Sequence, residues 1–161
     1  MEQNNFDIKK IKVHRTTEGT VFEILFVLMA FIVWGLIIWL VYRAPDIVPT
    51  HFDASGKPNA YGSPVGITIP CALLTIGAIV CMVCAYFPQH INMPFKIRNI
   101  RQVELAIRYL RVTGITFLLI PLAIAYTLLG TSSPSVISIL AAIGLVLVVT
   151  ILSSIIIYKS K

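Results

Sequence analysis

The stretch that decides the fold is Val21–Tyr42, VFEILFVLMAFIVWGLIIWLVY, whose one charged side chain, Glu23, stands in its first turn. At about 1.5 Å rise per residue, a helix of this length crosses a hydrocarbon core of about 30 Å. Three further runs of similar length follow, Pro64–Phe87, Val112–Gly130 and Val136–Tyr158, and none of them holds a charged residue. The expected fold is all-α: a polytopic membrane protein with four transmembrane helices in two hairpins. Residues 1–20 read as a cytoplasmic N-terminal tail and residues 21–161 as a single transmembrane domain. Within that domain, residues 43–63 form a structured outer loop and residues 88–111 an inner loop ending in an amphipathic helix.

Composition agrees with this reading. Hydrophobic residues make up 57% of the chain and charged residues 12%, where soluble domains average roughly 45–50% and 25%. What remains outside the four runs is too dispersed for a second globular domain. The net charge of +6 would suggest a nucleic-acid partner in a soluble protein, but its distribution points to topology instead. Of the 13 Lys and Arg residues, only Arg43 and Lys57 lie between the first two runs, and Thr131–Ser135 holds none. The rest fall in the N-terminal tail, in residues 96–111 and at the C-terminus. Short loops rich in Lys and Arg stay cytoplasmic. Both termini are therefore expected inside, with residues 43–63 facing outward, in a bacterial cytoplasmic (inner) membrane, and no nucleic-acid role is expected. The first run is longer than the roughly 7–15 residues of a secretory signal core, and no small-x-small cleavage site follows it. It reads as a signal-anchor helix.

Several local signals shape the helices. Glu23 complements the N-terminus of the first, while Trp34, Trp39, Tyr42 and Arg43 mark its outer end. Ser63-Pro64 is a helix start, Ser as N-cap and Pro at the first helical position. Gly77, Cys81 and Ala85 recur at steps of four, and small-residue stripes of this kind let helices approach closely in lipid. They are the expected packing face of helix two. Cys71, Cys81 and Cys84 all lie in this run and read as packing residues, with no disulfide. Pro70 and Pro121 remove backbone donors and should bend helices two and three. Pro134, in Thr131–Ser135, turns the third helix into the fourth, where Ser138 and Ala142 form another small pair. In the inner loop, Ile100, Val103, Ile107 and Leu110 make one helix face, and Arg101, Glu104, Arg108 and Arg111 a second. Such a helix is expected to lie along the inner leaflet.

No Asp, Glu, Lys, Arg or His stands in the middle of any run, which disfavours an ion-coupled transporter. No His-Glu-x-x-His pattern, aspartate pair or Ser/His dyad is present either. The chain is expected to be non-enzymatic and to need no cofactor.

The outer loop carries the distinctive residues. Pro45, Pro49, Pro58 and Pro64 stiffen it, Gly56 and Gly62 permit unusual backbone angles, and Ser55-Gly56-Lys57-Pro58 reads as a tight turn. Thr50–Asp53 looks extended, which puts His51 and Asp53 on one side at period two. That spacing permits a His–carboxylate hydrogen bond or part of a metal site. A third ligand would have to come from Asp46, and the segment does not match a Ca²⁺ loop. The hydrogen-bonded pair is the expectation, and no metal is assigned.

The run Ile47-Val48-Pro49-Thr50-His51-Phe52-Asp53-Ala54-Ser55-Gly56-Lys57-Pro58-Asn59, followed by Tyr61-Gly62-Ser63, resembles the signature of the bacterial family called domain of unknown function 1648. In that family, too, the signature lies between the first two membrane helices. Asn92–Ile97 and Arg108–Arg111 are similar to the inner loop of its short members. The family includes the N-terminal part of SdpI-like proteins, which protect bacteria from a secreted peptide toxin. This chain departs from them in having fewer membrane runs.

The resemblance implies an immunity-like or signalling role in which the outer loop senses or binds an extracytoplasmic ligand or toxin. The residues it singles out, as ligand contacts or loop braces, are Pro49, His51, Phe52, Asp53, Gly56, Asn59 and Gly62. Expected partners are the lipid bilayer, a membrane protein or second copy of the chain, and an extracytoplasmic peptide. Two other classes stay open: an accessory subunit of a larger membrane transport complex, and a metal-dependent membrane enzyme using His51 and Asp53.

Overall fold

A computed structural model of the chain describes residues 8, 11–53, 55, 57–130 and 136–160. Gly56, the Thr131–Ser135 turn with Pro134, and most of the first ten residues lie outside the described residues. The elements are α1 (Thr17–Arg43), β1 (Val48–Phe52), β2 (Pro58–Gly62), α2 (Thr68–Cys84), α3 (Ile100–Phe117), α4 (Leu119–Leu129) and α5 (Ile137–Lys159). Four helical stretches are long and apolar enough to cross a membrane: Thr17–Arg43, Pro64–Cys84, Ile100–Leu129 and Ile137–Lys159. Crossing four times places both termini and residues 85–99 at one end of the bundle, and residues 44–63 at the other.

α1 begins four residues before Val21 because Thr16 caps it, its Oγ1 accepting from the Gly19 amide at 3.0 Å, with Glu18 in the first turn. Ser63 caps the Pro64–Ile67 3₁₀ turn that leads into α2, accepting from Val65 N at 3.4 Å. Pro70 falls in the first turn of α2, directly after the 3₁₀ turn. The stretch 88–111 differs from expectation. Its amphipathic segment is helical but does not lie apart along a leaflet: Asn99 Oδ1 accepts from Gln102 N at 2.9 Å, and α3 runs unbroken from Ile100 into the third span. The reason is that its apolar stripe has a protein partner. Val103 and Ala106 are buried with Ile97 against Ile157 near the end of α5. Gln102 Nε2 donates to Ile157 O and Asn99 Nδ2 to Ser160 O, both at 3.0 Å, satisfying carbonyls that a helix C-terminus leaves open.

The third span breaks between α3 and α4. Pro121 has no amide to offer the Phe117 carbonyl four residues back, and its ring crowds that carbonyl. Leu118 N turns to Ile115 O at 3.3 Å instead, and the Cys71 thiol donates to Pro121 O at 3.4 Å. This broken span is central: α3 packs on α2 and α5, and α4 on α1, α2 and α5, whereas α1 and α2 meet only sparsely. Val33, Ile37, Cys71, Ala78, Leu118 and Ala125 are fully buried around it. Trp34 Nε1 donates to Thr75 Oγ1 at 3.1 Å across α1 and α2. α2 and α3 approach closely as well: a Cβ on Gly114 would stand 3.1 Å from the Ala78 carbonyl oxygen.

Candidate functional site

The segment between α1 and α2 is an antiparallel β-hairpin. Val48 pairs with Gly62, Pro49 with Tyr61, His51 with Ala60 and Phe52 with Pro58, with register shifts on either side of His51. Proline suits it because both strands are edges and need no ladder bond outward. β1 rests on α4, with Val48 buried and Pro49 and Phe52 half-buried. A Cβ on Gly62 would stand 3.3 Å from Thr50 Cγ2.

The expected His51–Asp53 hydrogen bond gives way to two separate arrangements. His51 Nδ1 donates to Asn59 Oδ1 at 2.6 Å across the hairpin. Asp53 instead organises the turn: its Oδ1 accepts from Ser55 N at 2.8 Å, Ser55 Oγ at 2.7 Å and Lys57 N at 2.9 Å. The register shift explains the exchange, because it carries Asn59 to the side on which His51 projects, while an Asp that bonds the backbone two residues on closes an Asx-type turn. His51, Asn59, Lys57 and Tyr61 remain exposed. The hairpin thus shows a polar pair to solvent, and its turn is braced by Asp53. Among the described residues, no three His, Cys, Asp or Glu side chains come together as a metal ion would need.

At the opposite end lies a polar cluster that joins three spans. Arg15 Nη2 donates to Glu23 Oε2 at 2.7 Å, and the Tyr86 hydroxyl, just beyond α2, donates to Glu23 Oε1. That hydrogen bond holds the Tyr86 pKa above its ordinary value. Arg108 grips Glu18 through Nε at 2.6 Å and Nη2 at 2.9 Å, a forked arrangement suited to guanidinium. Arg111 is 4% exposed. Its guanidinium lies over the Tyr86 ring, 5.8 Å from the centroid, within cation–π range, and against Gly19. By sequence, Glu23 only complements the N-terminus of the first helix and Arg111 is one member of a charged helix face along the inner leaflet. The available signal was Glu23 itself, alone in an otherwise uncharged run.

The small residues of α2 take graded positions. Ala85 is fully buried, Cys81 half-buried, and Gly77 faces the Phe117 ring, 3.3 Å from where its Cβ would be. The three cysteines are free.

Four apolar spans and an interposed hairpin define a multi-pass membrane protein. The family model described as a domain of unknown function (DUF1648) matches residues 28–75. The matched segment takes in most of α1, the whole hairpin and the first turns of α2, and stops short of the third and fourth spans. No curated protein and no solved structure matches the chain.

Proposed function

We propose that this chain is a non-enzymatic protein of the bacterial cytoplasmic membrane, with both termini in the cytoplasm, whose hairpin binds an extracytoplasmic ligand such as a peptide. The observation that carries the reading is the exposed His51–Asn59 pair on a hairpin whose turn is shaped separately by Asp53. Loops positioned by a rigid scaffold are where binding residues concentrate. The distribution of Lys and Arg supports the orientation.

A photo-crosslinking residue in place of Tyr61, on the exposed hairpin, tests this in whole cells. A discrete adduct is expected that disappears when His51→Ala or Asn59→Ala is added, with thermal stability unchanged. The same crosslinker in place of Leu147, on the exposed face of α5, should give no such adduct. An adduct that survives both substitutions, or none at position 61, would contradict the proposal.

A further inference from the structure

α4 packs against both α1 and α5, and the three helices leave an apolar groove of about 770 Å³ at the hairpin end of the bundle. Small-molecule sites span roughly 300–1,000 Å³. Leu36 on α1, Leu119 on α4 and Leu145 on α5 line its deep end; Arg43, Tyr126 and Ala141 stand nearer the membrane surface. Along α4 the lining runs from Leu119 to Gly130, about 16 Å at 1.5 Å per residue. That is close to half of an about 30 Å hydrocarbon core, the depth of one leaflet.

The charge at the mouth is one-sided. No acidic side chain lines the groove. Among the described residues Arg43 makes no ion pair; its guanidinium lies over the Trp39 ring, 5.0 Å from the centroid. We propose that the groove is a binding site for an anionic phospholipid, with one acyl chain between α1 and α5 on the floor of α4 and the phosphate on Arg43. The depth suits a chain that spans one leaflet, and the cation sits at the level of its headgroup. Trp39 and Tyr126 flank that level, as interfacial aromatics do.

The test uses the full chain in phosphatidylcholine vesicles with graded amounts of lipid brominated on its acyl chains. Trp34→Phe leaves Trp39, which lines the groove, as the reporter. Brominated phosphatidylglycerol should quench Trp39 at a roughly fivefold lower mole fraction than brominated phosphatidylcholine, the ratio expected for one basic residue facing an anionic lipid. Arg43→Gln should abolish that preference, and Ala141→Phe, which fills the groove, should reduce it. Inorganic phosphate should not relieve the quenching. Equal quenching by the two lipids, a preference that survives Arg43→Gln, or relief by inorganic phosphate would each overturn the proposal. Native mass spectrometry of the unmodified chain is a check free of the tryptophan substitution: phosphatidylglycerol should be retained in preference to phosphatidylcholine, and equal retention would overturn it.

Discussion

The guanidinium of Arg111 occupies the space that a side chain at position 19 would need: a Cβ on Gly19 would stand 2.7 Å from Arg111 Nη2. The glycine lets a cation on the third span reach between α1 and the Tyr86 ring, where its charge acts on both Glu18 and Glu23. Three spans are thereby tied together at the end that holds both termini.

Gly19→Val should therefore push Arg111 out of its place and lower stability by about 1–3 kcal/mol, the usual cost of overpacking. Thermal melting in detergent measures it. Gly35→Val, in the same helix with nothing within 4 Å of its Cβ position, should cost well under that. Equal losses would remove the special role of Gly19.

The contact between α2 and α3 gives a sharper contrast. At Gly114 a Cβ would meet both the Met82 side chain and the Ala78 backbone. Met82 can move and the carbonyl cannot, so Gly114→Ala should lower the melting temperature despite alanine's better helix propensity. Gly144→Ala, on α5 with open space around it, should gain up to about 1 kcal/mol. Gly77→Leu should also destabilise, by driving into Phe117. A stabilised Gly114→Ala would mean that the two helices are not this close.

In the hairpin, bracing and display should separate by residue. Asp53→Ala removes one acceptor shared by three donors and should loosen the turn by about 1 kcal/mol, read as roughly fivefold faster proteolysis near Lys57. His51→Ala and Asn59→Ala, at exposed positions, should change stability by no more than about 0.5 kcal/mol. A large loss at His51 with none at Asp53 would reverse the two roles.

The membrane spans were legible because a hydrocarbon solvent imposes a crude constraint, about twenty apolar residues, that any reading of Val21–Tyr42 detects. Helix starts at Ser63-Pro64 and the break near Pro121 were legible because capping and a missing amide act locally. What was not legible depended on partners distant in sequence. The His51 ring could bond Asp53 or Asn59, and only the shifted register of the hairpin decides. Val103 falls by spacing on a leaflet-facing stripe with Ile100, Ile107 and Leu110, and nothing local reveals that Ile157 comes to cover it together with Ala106. Arg111 belongs to a charged face by spacing, yet Gly19, far away in the chain, opens the pocket that buries it.

The measurement that tests the account most directly is the accessibility of the two ends of the bundle in intact cells. Lys57→Cys places a thiol in the hairpin and Arg98→Cys one just before α3; the native cysteines, all within α2, give the blank. A membrane-impermeant maleimide should label position 57 in intact cells and position 98 only after the membrane is opened. Labelling of position 98 but not 57 in intact cells would put the hairpin in the cytoplasm and contradict the proposal that it meets an extracytoplasmic ligand.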